Sequence, residues 1–256
     1  PQDTLEQLTT DSNGMTEEID LAAPPRSYSE YPLSDVQPYS EYNLIITAPG
    51  YEPTTISGSE IFSGELSVQP VRLNPVLPNA SASVINIPAN TLWGVFPPKI
   101  PEDEIKPVRS SGEIVLSRVV IPEYIVVHDG VPSDSSATDY YVRYADYIKN
   151  VASSEIYSTW PEATLRANIT AIMSFTLNRV YTEWYRNKGY DFTITTSTAY
   201  DHKWIYGRNI FDSISRIVDE IFANYISRPN VKQPILTQYC LSLIHISEPT
   251  RPLYIS

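Results

Sequence analysis

Apolar residues recur at intervals of three and four positions in three stretches of the second half of the chain. The first set comprises Tyr141, Tyr144, Ala145, Ile148, Val151 and Ala152. The second comprises Leu165, Ile169, Ile172, Met173, Val180 and Trp184, and the third comprises Ile210, Ile214, Ile217, Val218, Ile221 and Tyr225. Such spacing places apolar side chains on one face of an α-helix. The pattern therefore predicts three amphipathic helices, the last of which starts near Asn209 and ends before Pro229.

The second of these helices also carries start and stop signals. Thr159 and Glu162 have the spacing of a capping box, in which two side chains satisfy free backbone N–H groups of the first turn. Pro161 lacks an N–H and is tolerated in that turn. Gly189 suits the left-handed position that ends many helices. The sequence therefore predicts a helix that begins after Thr159, with Gly189 at its C-terminal end.

Residues 1–74 show the pattern of β structure instead. Residues 42–48, 54–62 and 65–73 are strand-like runs, residues 49–51 indicate a turn, and residues 11–14 (DSNG) indicate a hairpin turn. The segment YNLIITAPGYEP, followed by a strand that ends in VRLNP, resembles the carboxypeptidase-regulatory-like, transthyretin-type β-sandwich. The resemblance implies a partial sandwich whose opening strands would precede Pro1.

Prolines then become frequent, at positions 75, 78, 88, 97, 98, 101 and 107. Each fixes φ and removes a backbone donor, so this stretch is predicted to be a semi-rigid spacer rather than a folded element. Trp93 and Phe96 are candidates to pin it against a neighbouring domain. β character returns at residues 114–127. We therefore predict an α+β protein of two domains, with a β domain at 1–74, a linker at 75–113 and a mainly helical α+β domain at 114–240.

The C-terminal residues have a separate explanation. Residues 241–251 read LSLIHISEPTR, which matches codon for codon the translation of a common transposase sequencing adapter. Chance is a poor explanation for such a match. We therefore expect residues 241–256 to be non-native and the natural sequence in this chain to be a fragment that stops at Cys240.

Composition narrows the range of functions. The chain carries 18 Lys and Arg against 30 Asp and Glu, a net charge of −12. Nucleic acids and anionic lipid surfaces require a basic face, so neither is an expected partner. No apolar run approaches the roughly 18 residues of a membrane span, so none is predicted. The single cysteine, Cys240, excludes an internal disulfide framework and a metal site built from several thiolates.

One charged residue interrupts the first helical stripe. The next position on that face is 155, where an apolar residue is expected and the chain has Glu155. A carboxyl group on an apolar face near Tyr157 and Trp160 should have a raised pKa, because desolvation disfavours its charged form. That environment suits a general acid that works near neutral pH. Spacing alone leaves an alternative open, in which Glu155 reaches water or pairs with Arg166 or Arg179.

The sequence around Glu155 resembles a known family. Residues 151–175, VASSEIYSTWPEATLRANITAIMSF, are similar to the signature of the stage II sporulation protein D family, in which a Ser/Ala-Ser-Glu triplet precedes a Pro-led helix rich in Ala. Within that family, clostridial-type spore-cortex-lytic enzymes have a catalytic domain similar to the blocks IPEYIVVHDGVPS, DYIKNVASSEIYSTWPE, LNRVYTEWYRNKGYDFTITTSTAYD and GRNIF…IVDEIFANYI. The similarity runs from about residue 116 to residue 240, and the linker segment VFPPKIPEDEIKP fits the same branch.

The resemblance implies a lytic transglycosylase that cleaves peptidoglycan without water. Glu155 would be the catalytic acid and then the base, and no second carboxylate is needed because the nucleophile is the sugar's own 6-hydroxyl. A glycan groove needs flat aromatic faces, and the expected substrate contacts are Tyr157, Trp160, Tyr200 and Trp204. Two further aromatics, Phe175 and Trp184, are expected in the core. The remaining carboxylates considered for a role are expected to cap helices or to be solvated: Asp146, Glu162, Asp191 and Asp201.

The chain departs from the family at several positions. Many members carry an Arg near the end of the Ala-rich helix, where this sequence has Met173, so that substrate contact does not carry over. Some members hold a metal through His and Cys after that helix, but residues 191–201 contain neither residue type. We therefore expect no metal and no cofactor, with His202 at the surface and His128 in a structural role. Family members also continue past the position of Cys240 with a Gly-rich segment that contains Trp.

Two functions of other classes stay open. One is a non-catalytic peptidoglycan-binding or amidase-modulating protein, a role described for other members of the family. The other is a structural or adhesive module, which leaves residues 151–240 unexplained. The expected partners are peptidoglycan glycan strands and, for a proenzyme, a processing protease. The expected location is secreted, in the region of the spore cortex.

Overall fold

The computed structural model describes residues 4–31, 34–78, 82–90, 92, 96–105 and 116–238. The helices in these ranges are α1 (Ser27–Glu30), α2 (Tyr144–Glu155), α3 (Glu162–Tyr181) and α4 (Asp212–Ile221). The strands are β1 (Tyr39–Ile46), β2 (Thr54–Phe62), β3 (Ser67–Val68), β4 (Ser83–Asn86), β5 (Tyr124–His128), β6 (Asp139–Arg143), β7 (Ile194–Thr195) and β8 (Ile210–Phe211). Helices and sheets are both present, which confirms the α+β class. Trp93, Cys240 and residues 241–256 lie outside the described residues.

The first sheet contains β1, β2 and β4. β1 and β2, which overlap two of the predicted strands, pair antiparallel, and β4 adds to β2 in parallel. The register of β1 shifts around Asn43, whose side-chain oxygen accepts hydrogen bonds from the Ser57 hydroxyl at 2.9 Å and the Gly58 N–H at 3.3 Å. Gly58 has a φ of 85°, and a Cβ there would lie 2.4 Å from the carbonyl oxygen of Ile87. Only glycine fits this crossing of β2 and the chain that follows β4.

Part of the predicted semi-rigid spacer is folded, so the prediction that this stretch is not a folded element is wrong for β4. The main chain of residues 83–86 pairs with residues 54–57 of β2. The side chains alternate between partly buried and exposed along β4. This alternation, with β-branched residues at Val84 and Ile85, is the pattern of a strand at a sheet edge.

The third predicted strand, residues 65–73, is much shorter in the structure. Only Ser67 and Val68 are in β3, and they pair antiparallel with Phe211 and Ile210 of β8. Pro70 has no N–H to donate, which limits the length of a strand at this point. This pairing joins the predicted β region directly to the predicted helical region.

The second half of the chain places helices against a sheet of β6, β5 and β7, with β6 antiparallel and β7 parallel to β5. Tyr141 belongs to β6 and is 77% exposed, so the prediction that it starts the helical stripe is wrong. Its backbone pairs with Val126 of β5, and α2 begins only at Tyr144. The rest of the stripe is confirmed, because Ile148, Val151 and Ala152 are fully buried.

The predicted capping box at the start of α3 is wrong. The Thr159 hydroxyl donates to the Ser29 hydroxyl at 2.6 Å, and the Glu162 carboxylate accepts from Arg166 at 2.8 Å. Pro161 occupies the cap position, with no side-chain hydrogen bond to the first turn. Contacts with α1 and with the next helical turn therefore replace the local capping interactions.

α3 ends at Tyr181 rather than extending towards Gly189. The N–H of Glu183 donates to the Val180 carbonyl at 3.2 Å, and the N–H of Trp184 donates to the Arg179 carbonyl at 3.3 Å. These are the two bonds of a Schellman motif, with Glu183 in the left-handed position at φ 46°. Gly189 instead ends a 3₁₀ turn over Arg186–Lys188, at φ 86°. The sequence pattern overestimates the length of α3, because the left-handed residue that ends the helix is Glu183 rather than a glycine.

One hydrophobic cluster includes buried residues from both halves of the chain. Tyr39 and Phe62 of the first sheet pack with Tyr157, Phe211 and the apolar faces of α2, α3 and α4. The Phe62 ring lies 5.4 Å from that of Tyr157 and 5.3 Å from that of Phe211. α4 extends from Asp212 to Ile221, so its apolar face is shorter than the predicted stripe, and Ile210 belongs to β8. The C-terminal end of α2 lies beside this shared core.

Candidate functional site

Glu155 is the last residue of α2, and its side chain is buried, with 3% exposure. Its Oε1 accepts a hydrogen bond from the backbone N–H of Lys203 at 2.6 Å. The carboxyl group therefore occupies the apolar-stripe position at which the sequence places it, and the chain after β7 supplies an oriented donor. This is the one carboxylate of the region that the sequence singled out for catalysis.

Two lysines lie close enough to Glu155 to interact with its charge. Burial lowers the pKa of Lys99, and the charges of Glu155 and Asp201 oppose that change. Burial and the charge of Arg208 lower the pKa of Lys203, with Glu60 and Glu155 opposing. Both ammonium groups donate to backbone carbonyls, Lys99 to Asp201 and Lys203 to Ala89.

The arginines that the sequence suggested as partners of Glu155 have other carboxylate partners. Arg166 pairs with Glu162 and Glu220 at the surface. Arg179 is 1% exposed and binds Glu102 through two bonds of 2.8 and 2.6 Å. Burial alone would lower the pKa of Arg179, but the charges of Asp201 and Glu102 raise it.

Asp201 is fully buried, so the expectation that it is solvated or caps a helix is wrong. Its carboxylate accepts hydrogen bonds from Arg179 Nε at 2.7 Å and from the Tyr185 hydroxyl at 2.6 Å. The backbone N–H and the hydroxyl of Thr195 add bonds of 2.9 and 2.7 Å. A carboxylate held by four donors fixes the chain between β7 and the Lys203 N–H, so Asp201 positions the donor to Glu155.

His202 is also buried, with 1% exposure, and the prediction that it lies at the surface is wrong. Its Nδ1 lies 3.2 Å from the Tyr147 hydroxyl, and its ring is 4.5 Å from that of Phe175. Burial, together with the charges of Lys99 and Arg179, holds the pKa of His202 well below its ordinary value. His202 is therefore a neutral imidazole at pH 7, directly before the residue that binds Glu155.

His128 is engaged within its own sheet. Its Nδ1 lies 2.7 Å from the Asp139 carboxylate, and its Nε2 lies 3.2 Å from the Val131 carbonyl oxygen. The ring stacks on Phe192 at 4.3 Å. Both ring nitrogens thus hold the β5–β6 hairpin and its turn.

The four aromatic residues expected to bind substrate do not line one groove. Tyr157 is 3% exposed and Trp204 is 7% exposed, so both rings are covered. Trp160 is half-buried, and its Nε1 donates to the Ser29 carbonyl at 2.9 Å. Tyr200 is also half-buried and lines a surface cleft. Their role in substrate binding stays a prediction.

Two clefts flank the residues after α3. One has a volume of about 260 Å³ and the other about 200 Å³, and both are lined by Arg179, Trp184 and Tyr185. Glu155 lines neither of them. The smaller one, which we call the aromatic cleft, is also lined by Tyr190, Tyr200, Lys188, Glu102, Ile100, Pro132 and Ser133.

Trp184, Glu102 and Lys99 belong to this region, although the sequence pattern predicts other positions for them. Trp184 was expected in the core, but it is half-buried between the two clefts. Glu102 and Lys99 belong to the predicted spacer, yet they bind Arg179 and the carbonyl of Asp201. The run WYRNKGY at 184–190, which mixes aromatic and basic residues after a helix, is the signal that could have indicated the aromatic cleft.

The described part of the chain contains no group of three or more His, Cys, Asp and Glu side chains that could hold a metal ion. No helix among those described is both long enough and apolar enough to span a membrane. The metal prediction stays a prediction.

Comparison with protein-family models, with curated proteins and with solved structures found no match.

Proposed function

We propose that this chain is part of a peptidoglycan lytic transglycosylase and that Glu155 is its catalytic acid and base. The observation that carries the proposal is the position of Glu155: it is buried at the end of α2, on an otherwise apolar face, with Oε1 held by the Lys203 N–H at 2.6 Å. Desolvation raises the pKa of a carboxyl group, as a general acid near neutral pH needs, and the N–H contact fixes the position of its oxygen. The sequence resemblance to the stage II sporulation protein D family supports the same residue.

The reaction needs one carboxyl group. The Glu155 proton passes to the glycosidic oxygen as the bond from that oxygen to C1 of the N-acetylmuramoyl unit breaks, and an oxocarbenium-like transition state develops. The 6-hydroxyl oxygen of the same sugar attacks C1, and its proton returns to the Glu155 carboxylate. The product is a 1,6-anhydro sugar, and no water is consumed.

A glycan must gain access to the buried Glu155 side chain. Glu155 is 3% exposed, so a glycan reaches it only after the side chains that cover it move. Lys203 binds Ala89 across this region, and the Ile100 N–H binds the Ala199 carbonyl at 2.8 Å. Residues 89–90, 96–100 and 199–203 are therefore the described segments whose displacement would open the site.

We also propose a domain organisation and a location for this protein. Residues 1–74 together with β4 form an accessory unit of transthyretin-type sandwich ancestry, the rest of residues 75–113 a linker, and residues 114–240 a catalytic domain of the stage II sporulation protein D type. The protein is secreted to the region of the spore cortex, where peptidoglycan glycan strands are its substrate and a protease processes a proenzyme form.

The experiment compares this chain with its Glu155→Gln variant on purified cortex sacculi, with products identified by mass spectrometry. Residues 241–256, expected to be non-native, are replaced by the sequence of the source genome. We expect anhydro-muramyl fragments from the parent and none from the variant. Reducing muramic ends would contradict the mechanism and indicate a hydrolase.

The burial of Glu155 favours a second candidate, a non-catalytic peptidoglycan-binding or amidase-modulating protein. A carboxylate with 3% exposure that accepts a backbone N–H also fits a purely structural role at a helix end. In that case both the parent and the Glu155→Gln variant would bind sacculi, and neither would release fragments.

A further inference from the structure

The aromatic cleft has the lining of a small-ligand site. Trp184, Tyr190 and Tyr200 are half-buried around it, and Tyr185 is buried beneath them. Ligand sites typically combine such apolar and aromatic walls with a few polar groups that orient the ligand. The volume of about 200 Å³ lies below the roughly 300–1,000 Å³ of sites for drug-sized molecules. The cleft therefore has room for a single ring rather than for several.

The charges in the cleft are largely matched. The Arg179 guanidinium donates to Glu102 at 2.8 and 2.6 Å, to Asp201 at 2.7 Å and to the Tyr200 carbonyl at 3.1 Å. Two carboxylates thus neutralise the Arg179 guanidinium. Its N–H groups are therefore not available for bidentate binding of a phosphate or carboxylate ligand. The Glu102 side chain retains 8% exposure at this wall. The electrostatics favour an uncharged ligand with hydroxyl groups over an anion.

Lys188 covers the indole of Trp184. Its Nζ lies 3.2 Å from the ring centroid, and the lysine is exposed to solvent. An exposed ammonium group on an aromatic face is a weak contact. The axial C–H groups of a pyranose ring prefer the same electron-rich face, so a sugar ring can replace the ammonium group there.

We propose that the aromatic cleft is a binding subsite for one uncharged N-acetylhexosamine ring of a glycan, stacked on Trp184. The choice of peptidoglycan-type sugars rests on the proposed function, whereas the cleft itself is argued from its own geometry. The subsite is separate from Glu155, which lines neither cleft. It would hold a ring of the glycan strand away from the bond that is cleaved.

The test measures binding by the full chain carrying Glu155→Gln, so that no probe is consumed. The neutral probe is tetra-N-acetylchitotetraose, the second probe is a muramic-acid-containing tetrasaccharide, and pyrophosphate serves as an anionic probe. We expect both saccharides to bind and pyrophosphate not to compete. Trp184→Ala should weaken binding by about ten-fold, the scale of one lost aromatic contact. Trp184→Phe, which keeps an aromatic face, should remain within about three-fold of the parent.

Two further variants separate the alternatives. Tyr141→Ala, which removes a 77% exposed aromatic side chain outside the cleft, should leave affinity unchanged. Lys188→Ala should raise affinity, because the lysine competes with the sugar for the indole face. A loss of about ten-fold in Lys188→Ala, with competition by pyrophosphate, would show an anion site and overturn the proposal.

The proposal also falls if neither saccharide binds, or if Trp184→Ala binds like the parent. These results are independent of the catalytic test. Saccharide binding that depends on Trp184, without anhydro products from the parent, would leave the subsite standing and refute the transglycosylase. Anhydro products, together with saccharide binding that does not depend on Trp184, would support the transglycosylase and refute the subsite.

Discussion

Arg208 and Glu60 form an ion pair whose two side chains are both fully buried, with Nη2 and Oε2 2.5 Å apart. Oε1 of Glu60 accepts the Asn90 N–H at 3.0 Å. Nε and Nη1 of Arg208 have no hydrogen-bond partner among the described residues. Burial raises the pKa of Glu60, and the charge of Arg208 opposes that rise. The pair links β2 to the segment before β8, so it fixes the first sheet against the helical half of the chain.

We expect Arg208→Met to lower the free energy of unfolding by about 3–5 kcal/mol, because it leaves the Glu60 carboxylate buried without a counter-charge. The double variant Glu60→Gln, Arg208→Met removes both charges and should recover most of that loss. Urea unfolding of the two variants and the parent measures the difference. Arg216→Met is the control, since its pair with Asp212 is exposed and should cost less than about 1 kcal/mol. Equal losses in the single and double variants would contradict this account.

His202 should make the stability depend on pH in a definite direction. Its pKa in the folded protein lies well below its ordinary value, so between the two values the unfolded chain binds a proton that the folded chain does not. Stability from this group is therefore present above about pH 6.5 and is lost as pH falls, by up to about 1.4 kcal/mol per pH unit. His202→Phe should flatten that part of the curve. The measurement is urea unfolding from pH 5 to pH 8, and parallel curves for parent and variant would rule the effect out.

The sequence predicts elements that depend on local pattern better than it predicts contacts between distant residues. The boundaries of β2 and the buried stripe that ends at Glu155 follow from local alternation and helical spacing. By contrast, Glu102 and Arg179 are 77 positions apart, and nothing local in the Pro-rich stretch indicates that a carboxylate there binds a buried arginine. The spacing of Tyr141 fits 3.6 residues per turn and so predicts a helical position, whereas pairing with β5 decides its conformation. Strand pairing thus overrides helical periodicity at Tyr141, and the Glu102–Arg179 pair depends on a tertiary contact that has no local signal.

Glu183 is a site where a single change should stabilise the chain. Its φ of 46° is the left-handed conformation, which is strained for a residue with a Cβ. Glu183→Gly removes the strain but gives the unfolded chain more freedom, and the expected net gain is about 0.5–1 kcal/mol. The control is Glu183→Ala, which loses the charge but keeps the Cβ and should not gain stability. Thermal unfolding of both variants checks this, and a loss in Glu183→Gly would show that the carboxylate pairing with Arg186 outweighs the strain.

Glu102 is expected to hold the Pro-rich segment against the second half of the chain. Glu102→Gln keeps the shape of the side chain but removes the charge facing a guanidinium that is 1% exposed, and we expect a loss of about 2 kcal/mol. Hydrogen exchange of the amides in residues 99–105 should become faster. Glu104→Gln is the matched control, because the pair of Glu104 with Arg228 is partly exposed. A similar change in both variants would mean that the buried pair does not hold the segment.

Glu155→Gln should separate catalysis from folding. The amide oxygen of Gln can accept the Lys203 N–H that now binds Oε1, so the free energy of unfolding should change by less than about 1.5 kcal/mol. An amide cannot give a proton to a glycosidic oxygen, and general acid–base catalysis typically contributes about 10²–10⁴ in rate, so anhydro-product formation should fall by at least that factor. Glu162→Gln, an exposed carboxylate paired with Arg166, is the control and should keep full activity. Unfolding of Glu155→Gln together with a loss of product would leave a structural role for the carboxylate as the explanation. Glu155→Asp decides that case, because it keeps a carboxyl group but shortens the side chain. If this variant folds but forms no product, the proton must be delivered from the position of the Glu155 carboxyl group.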